Sequence, residues 1–133
     1  MAFERVYTVW DYHDGPRSGI ANYSGRPHHY VCQWDAGSDD YSDLFLLRPV
    51  DEQTLALALE QWAIWRAWET AFQRGEKTQE THPALPGQDR RYAELDAELR
   101  ARLAGSADGL RVHGSFRARP DRSGLEVEWQ PGA

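Results

Sequence analysis

The sequence has little cysteine, little lysine and no long apolar run, and each shortage excludes a class of protein. The single cysteine, Cys32, has no partner for an intramolecular disulfide, which fits a reducing compartment. No apolar stretch approaches the roughly 20 residues that cross a bilayer, so we expect no membrane partner. Residues 1–5 lack the basic start and apolar core of a signal peptide. We therefore expect a soluble, cytoplasmic protein.

The charge balance is acidic, with 21 Asp and Glu residues against 15 Lys and Arg residues and a formal net charge of −6. Nucleic-acid binders usually carry a net basic domain or a basic stripe, so we expect no nucleic-acid partner. An acidic surface attracts a basic-surfaced protein, although it also serves solubility alone. With 133 residues, of which 41% are hydrophobic, the chain is predicted to form one globular domain.

Hydrophobic periodicity and turn residues divide the chain into strands, then two helices, then strands. Strands are predicted at 3–10, 20–23, 29–35 and 44–48, helices at 52–74 and 89–104, and final strands at 110–119 and 125–130. Segregated elements of this kind predict an α+β fold. We expect an antiparallel sheet of about five or six strands with two helices packed on one face, in the order β-β-β-β-α-α-β-β.

Three tryptophans, Trp62, Trp65 and Trp68, lie on the first predicted helix. The apolar residues of this helix cover more than half of its circumference, whereas a helix that lies on a sheet needs a stripe of little more than about 100°. Two alternatives remain open. Either the second helix and the linker between the two helices, residues 76–88, cover the additional face, or another chain does. The second alternative predicts a homodimer or a partner surface, since Trp is a typical interface anchor.

The first predicted loop, 11–19, concentrates side chains that suit chemistry on a small ligand. A carboxylate beside an imidazole can orient it and stabilise its charged form, so His13 and Asp14 are the candidate catalytic pair. Arg17 could hold an anionic ligand. The other candidate ligand-binding residues are Asp11, Tyr12 and His28. The alternative is a polar loop whose aspartates cap local backbone amides.

The histidines do not occur at the spacing of metal ligands. His28 and His29 are neighbours on a predicted strand, so they point to opposite faces and cannot chelate one ion together. Cys32 shares a strand face with Tyr30 and Trp34, which favours a buried structural cysteine. We expect no metal and no cofactor.

Residues 35–43 are predicted to form an acidic loop. It lacks the alternating oxygen ligands and the closing glutamate of a calcium loop. One interpretation is a docking patch for a basic protein partner, with Tyr41 as its aromatic anchor. The acidic residues of this patch are Asp39, Asp40 and Asp43. The alternative is a solvated loop without a partner.

The last predicted hairpin carries arginines on its polar face. Arg117 and Arg119 can pair across the turn with Glu126 and Glu128. This partial neutralisation again argues against a phosphate-binding surface.

Small size, negative charge, six tryptophans and the lack of a strong catalytic motif together favour a non-catalytic protein-binding module of bacterial type. An immunity or inhibitor protein that engages a basic-surfaced partner fits these traits. The alternative is a small enzyme or small-ligand-binding protein with its pocket at the first loop. A third possibility is a structural homodimer subunit of a larger assembly.

Overall fold

The computed structural model describes residues 2–10, 16–104 and 109–131. The chain divides into two compact units, each of which is described by itself below. The first unit comprises Met1–Asp51 and Ser106–Ala133, and the second comprises Glu52–Gly105. The expectation that the chain forms a single domain stays a prediction.

In the described part of the first unit, six antiparallel strands close into a barrel in chain order. The strands are β1 (Glu4–Trp10), β2 (Ser18–Tyr23), β3 (Arg26–Asp35), β4 (Asp40–Pro49), β5 (Leu110–Ala118) and β6 (Leu125–Pro131). The barrel closes because β6 pairs with β1 through Glu4↔Val127 and Arg5↔Glu126. The α+β class, the six antiparallel strands and the element order are confirmed, and the finding beyond the prediction is that the sheet closes into a barrel. That the two helices pack on one face of the sheet stays a prediction.

Alternate residues of the strands form the core of the barrel. The core consists of Ala21, Tyr30, Cys32, Phe45, Leu47, Val112, Val127 and Trp129. The rings of Phe116 and Trp129 meet edge to face with centroids 5.6 Å apart. Gly114 makes room for this cluster, because a Cβ atom there would lie 2.5 Å from the Trp129 ring. The apolar run at residues 44–47 alternates in burial, with Phe45 buried and Leu44 half-buried.

Among the described residues, the end of the β3–β4 hairpin lies outside the ladders with the strands on either side of it. The ladder of β2 on β3 ends at Val31, whereas β3 continues to Asp35. The ladder of β5 on β4 ends at Leu44, whereas β4 already begins at Asp40. Beyond His113, β5 leaves β4 and continues to Ala118 in its pairing with β6. The end of the β3–β4 hairpin therefore leaves the barrel ladder, and its Trp34 and Tyr41 side chains are exposed.

The second unit contains two helices and a linker. Its elements are α1 (Glu52–Gln73), a short 3₁₀ helix (Gln79–Thr81) and α2 (Arg90–Leu103). Both predicted helices are therefore confirmed. Asp89 caps α2, because its carboxylate accepts a hydrogen bond from the Tyr92 backbone N–H at 2.8 Å. Neither of these α-helices has the length and apolarity needed to cross a membrane.

The linker contacts one of the three α1 tryptophans. Trp68 Nε1 donates a hydrogen bond to Thr81 Oγ1 at 3.0 Å, and the Trp68 ring lies 4.5 Å from that of His82. Trp65 is buried, and its ring stacks on that of Trp62 with centroids 5.2 Å apart. These contacts of Trp68 agree with the alternative in which the linker covers part of the additional apolar face of the helix. The homodimer stays a prediction.

Candidate functional site

The acidic segment is a strand hairpin rather than a long loop. Since β3 ends at Asp35 and β4 begins at Asp40, only residues 36–39 connect the two strands. The Asp35 carboxylate stabilises this turn by accepting hydrogen bonds from the Gly37 N–H at 2.9 Å and the Ser38 hydroxyl at 3.0 Å. The predicted loop over 35–43 was too long. Three of the four predicted partner-binding residues lie on β4, namely Asp40, Tyr41 and Asp43, and Asp39 lies in the turn.

Trp34 and Tyr41 pair across the hairpin and expose large aromatic surfaces. Their ring centroids are 5.1 Å apart with an interplanar angle of 83°, which is the edge-to-face arrangement. Trp34 is 55% exposed and Tyr41 is 41% exposed. The guanidinium carbon of Arg17 lies 4.4 Å from the centroid of the Tyr41 ring, within the range of a cation–π contact. We refer to the side chains of Arg17, Trp34 and Tyr41 as the aromatic platform.

Cys32 lies beside the Arg17 side chain and two residues before Trp34 on β3, with a register irregularity between Cys32 and Trp34. Its thiol is buried and donates a hydrogen bond to the Ser42 carbonyl oxygen at 2.9 Å. Burial raises the pKa of the Cys32 thiol, while the adjacent Arg17 guanidinium opposes this rise. A thiol with a raised pKa stays protonated at neutral pH, which agrees with the hydrogen bond that Cys32 donates.

His113 and Asp43 form a contact that sequence analysis did not single out. His113 Nδ1 lies 3.1 Å from Asp43 Oδ1, between β5 and β4. Both side chains are substantially exposed, so water screens their attraction and the pair adds little stability. The two residues are 70 positions apart in the chain, and only the register of β4 on β5 brings them together. No local sequence motif could have revealed this pair.

The residues predicted to bind a small ligand have different outcomes. Four of them lie outside the described residues, namely Asp11, Tyr12, His13 and Asp14. Arg17 is described and belongs to the aromatic platform. His28 lies four residues before Cys32 on β3, about 13 Å along the strand. Its ring packs edge to face on Tyr23, with centroids 5.6 Å apart. The structure therefore joins Arg17 to the predicted partner-binding residue Tyr41 and not to His28.

His29 occupies a more buried position than its neighbour. Its ring centroid lies 5.7 Å from that of Trp10, and it pairs with Arg48 across the β3–β4 ladder. Burial, assisted by the nearby Arg48 charge, lowers the pKa of His29 from 6.5 to about 4. Among the described residues, its Nδ1 atom and the Asn22 Oδ1 atom are buried without a hydrogen-bond partner. His29 is therefore neutral in the folded protein at physiological pH.

The described ranges, 2–10, 16–104 and 109–131, contain no group of three or more His, Cys, Asp or Glu side chains that could hold a metal ion. The geometry instead concentrates exposed aromatic and charged side chains at the end of the β3–β4 hairpin. No protein-family model, no curated protein and no solved structure matches the chain.

Proposed function

We propose that the protein is a non-catalytic protein-binding module, of the immunity or inhibitor type, that engages a basic-surfaced partner through the β3–β4 hairpin. The observation that carries this proposal is the exposed Trp34–Tyr41 pair beside the carboxylates of the hairpin. Exposure of large aromatic side chains to water is unfavourable, and such side chains are common anchors of protein interfaces. Their exposure side by side at the end of the hairpin supports a docking surface there.

The carboxylates around the aromatic pair supply charge complementarity. Asp35, Asp39, Asp40 and Asp43 are exposed within nine consecutive positions. Such a cluster accelerates the approach of a positively charged surface and disfavours acidic partners. The aromatic pair would then provide most of the binding free energy once the surfaces meet.

The hairpin is also held in one shape before any partner arrives. The Asp35 carboxylate fixes the turn, and the Asp40 carboxylate accepts a hydrogen bond from the Tyr41 N–H at 2.7 Å. The Ser42 hydroxyl donates to the Gln33 carbonyl oxygen across the hairpin at 2.8 Å. A surface that is already ordered loses less conformational entropy on binding, which supports tight association from a small contact area.

The test uses a fluorescein-labelled peptide rich in lysine and arginine, followed by fluorescence anisotropy at low and at high salt. The double variant Asp39→Asn, Asp40→Asn should weaken binding about three- to tenfold and reduce its salt dependence. Trp34→Ala should weaken binding at least about fivefold. Asp121→Asn is the matched control, because it removes one turn carboxylate from the β5–β6 connection at the same end of the barrel.

Two outcomes contradict this proposal. One is equal affinity of the hairpin variants and the wild-type protein for the peptide. The other is that Asp121→Asn loses as much affinity per carboxylate removed as the double hairpin variant does. That result would mean that the peptide responds to net charge alone. Circular dichroism of each variant establishes that the barrel has folded.

A second candidate is the small enzyme or ligand-binding protein with its pocket at the first loop. The observation that favours it is the position of Arg17, whose guanidinium lies over Tyr41 next to the Cys32 thiol, where β2 begins. His13 and Asp14 would act as catalytic base and orienting carboxylate, and Arg17 would hold an anion. Thermal shifts with inorganic phosphate and with citrate test this candidate. Arg17→Gln should abolish the stabilisation by the anion, and an unchanged shift would eliminate Arg17 from such a site.

A further inference from the structure

We infer that the edge of β5 between Gly114 and Ala118 is a second part of the docking surface, where an extended segment of the partner adds as an antiparallel strand. This inference rests on the proposed function and specifies the shape and chemistry of the partner. Strand addition at a sheet edge gives affinity through main-chain hydrogen bonds, whereas alternate side chains of the added strand give specificity.

The backbone of β5 has an unpaired side after His113. Its pairing with β4 runs from Leu110 to His113, whereas its pairing with β6 continues to Ala118. Among the residues that the structure describes, no strand pairs with the other side of β5 between Gly114 and Ala118. An unpaired edge of this kind is a template on which another strand can form.

A hydrogen bond at the β5–β6 turn identifies which backbone groups point to this side. The Arg119 N–H donates to the Gly124 carbonyl oxygen at 2.8 Å, in the same register as the ladder between the two strands. Because bonding directions alternate along an antiparallel ladder, every second residue of β5 directs its N–H and C=O groups away from β6. These residues are Gly114, Phe116 and Ala118, and we refer to their backbone groups as the open edge.

The end of β4, by contrast, satisfies backbone donors with its own side chains. The Tyr41 N–H donates to the Asp40 carboxylate at 2.7 Å, and the Leu44 N–H donates to the Ser42 hydroxyl at 3.1 Å. Within the ranges 2–10, 16–104 and 109–131, no side chain accepts a hydrogen bond from the open edge in this way. An incoming strand therefore meets unused main-chain donors and acceptors on β5.

The side chains beside the open edge favour a partner segment with alternating apolar and basic residues. Phe116 packs against the barrel core and is half-buried, so an apolar residue added beside it would extend that core. On the opposite face of β5, His113 Nδ1 lies 3.1 Å from the Asp43 carboxylate, directly before the open edge. Arg117 is paired with Glu126 at 2.6 Å, which offsets its repulsion of a cation. A basic residue of the partner is therefore favoured on this face.

The first measurement is amide hydrogen exchange of the free protein by NMR. The amides of the open edge should exchange at least about tenfold faster than those of Ser115 and Arg117, which bond to β6. These two amides are the matched internal control, because they alternate with the open edge on the same strand. Equal exchange rates in the two sets would mean that the open edge is already covered, and would overturn the inference.

The second measurement is the affinity of the protein for an acetylated and amidated heptapeptide of alternating valine and arginine, by isothermal titration calorimetry. Directly opposed residues of an antiparallel pair share a face, so the valines should supply the N–H groups that bond to the open edge. N-methylation of three valines removes these donors and should weaken binding at least about tenfold. N-methylation of the three arginines should change the affinity less than about threefold, and the two methylated peptides have the same charge.

The outcomes separate this inference from the proposed function. If the two methylated peptides bind equally well, or if the arginine-methylated peptide binds more weakly, the strand addition is wrong. The acidic hairpin can still bind basic partners in that case, provided that Asp39→Asn, Asp40→Asn weakens binding of the unmodified peptide. If the unmodified peptide does not bind at all, both the inference and the proposed function fail.

Discussion

Acidification should destabilise the folded protein through His29. Its imidazole is largely buried between Trp10 and Arg48, and its pKa is lowered from 6.5 to about 4. Between these two pH values the unfolded chain binds a proton at this position that the folded chain does not. The free energy of unfolding should therefore decrease as the pH falls from about 6.5 towards about 4.

The magnitude follows from the two pKa values. Each pKa unit is worth about 1.36 kcal/mol, so the full loss is limited to about 3 kcal/mol. Near pH 5 the unfolded imidazole is almost fully protonated while the folded one is still mostly neutral, which gives a loss of about 2 kcal/mol relative to pH 7. A loss of this size is a large share of the stability of a typical small domain.

The assay is urea unfolding, followed by tryptophan fluorescence, at a series of pH values for the wild-type protein and for His29→Leu. Carboxylates elsewhere titrate in both proteins, so the difference between the two curves isolates His29. The wild-type protein should lose about 2 kcal/mol more than the variant between about pH 7 and about pH 5. Curves that remain parallel within about 0.5 kcal/mol would refute the inferred burial of a neutral imidazole at this site.

Two further substitutions test the barrel. Gly114→Ala should cost about 1–3 kcal/mol, because the new Cβ atom meets the Trp129 ring in a packed core, whereas the exposed neighbour Ser115→Ala should stay within about 0.5 kcal/mol in urea unfolding. Equal stability of these two variants would contradict the described core. The Glu4 carboxylate accepts hydrogen bonds from two backbone N–H groups of the β2–β3 turn at 3.0 and 2.7 Å. Glu4→Ala should therefore cost about 1–2 kcal/mol and Glu4→Gln less, and a thermal melt that ranks them in the opposite order would contradict this role.

Local sequence signals sufficed for the elements but not for their closure into a barrel. The predicted helices end within two residues of the observed ones, because capping residues and turn glycines mark helix ends locally. The β1–β6 junction has only two paired positions, Glu4↔Val127 and Arg5↔Glu126. These residues are far apart in the chain and carry no shared pattern. Alternation reveals which face of a strand is buried, but an open sheet and a barrel give the same alternation.

The length of the acidic loop was overestimated for a related reason. Polar residues such as Asp40 and Asp43 resemble loop residues when only composition is considered, since buried strands are rich in apolar residues. The end of the hairpin lies outside the ladders with β2 and β5, so it needs no apolar alternation and can carry exposed aspartates. The aspartates at the end of the hairpin therefore indicate that these strand residues are exposed, and they do not indicate a loop.

The aromatic platform combines two sites that sequence analysis kept separate. Arg17 was assigned to an anion pocket and Tyr41 to a docking patch, because 24 positions separate them in the chain. The strand register removes this separation, since the Arg17 carbonyl pairs with the Cys32 N–H and brings its guanidinium over the Tyr41 ring. The Arg17 side chain therefore lies near both the Tyr41 ring and the Cys32 thiol. Its surroundings follow from the strand register and not from the loop in which the sequence places it.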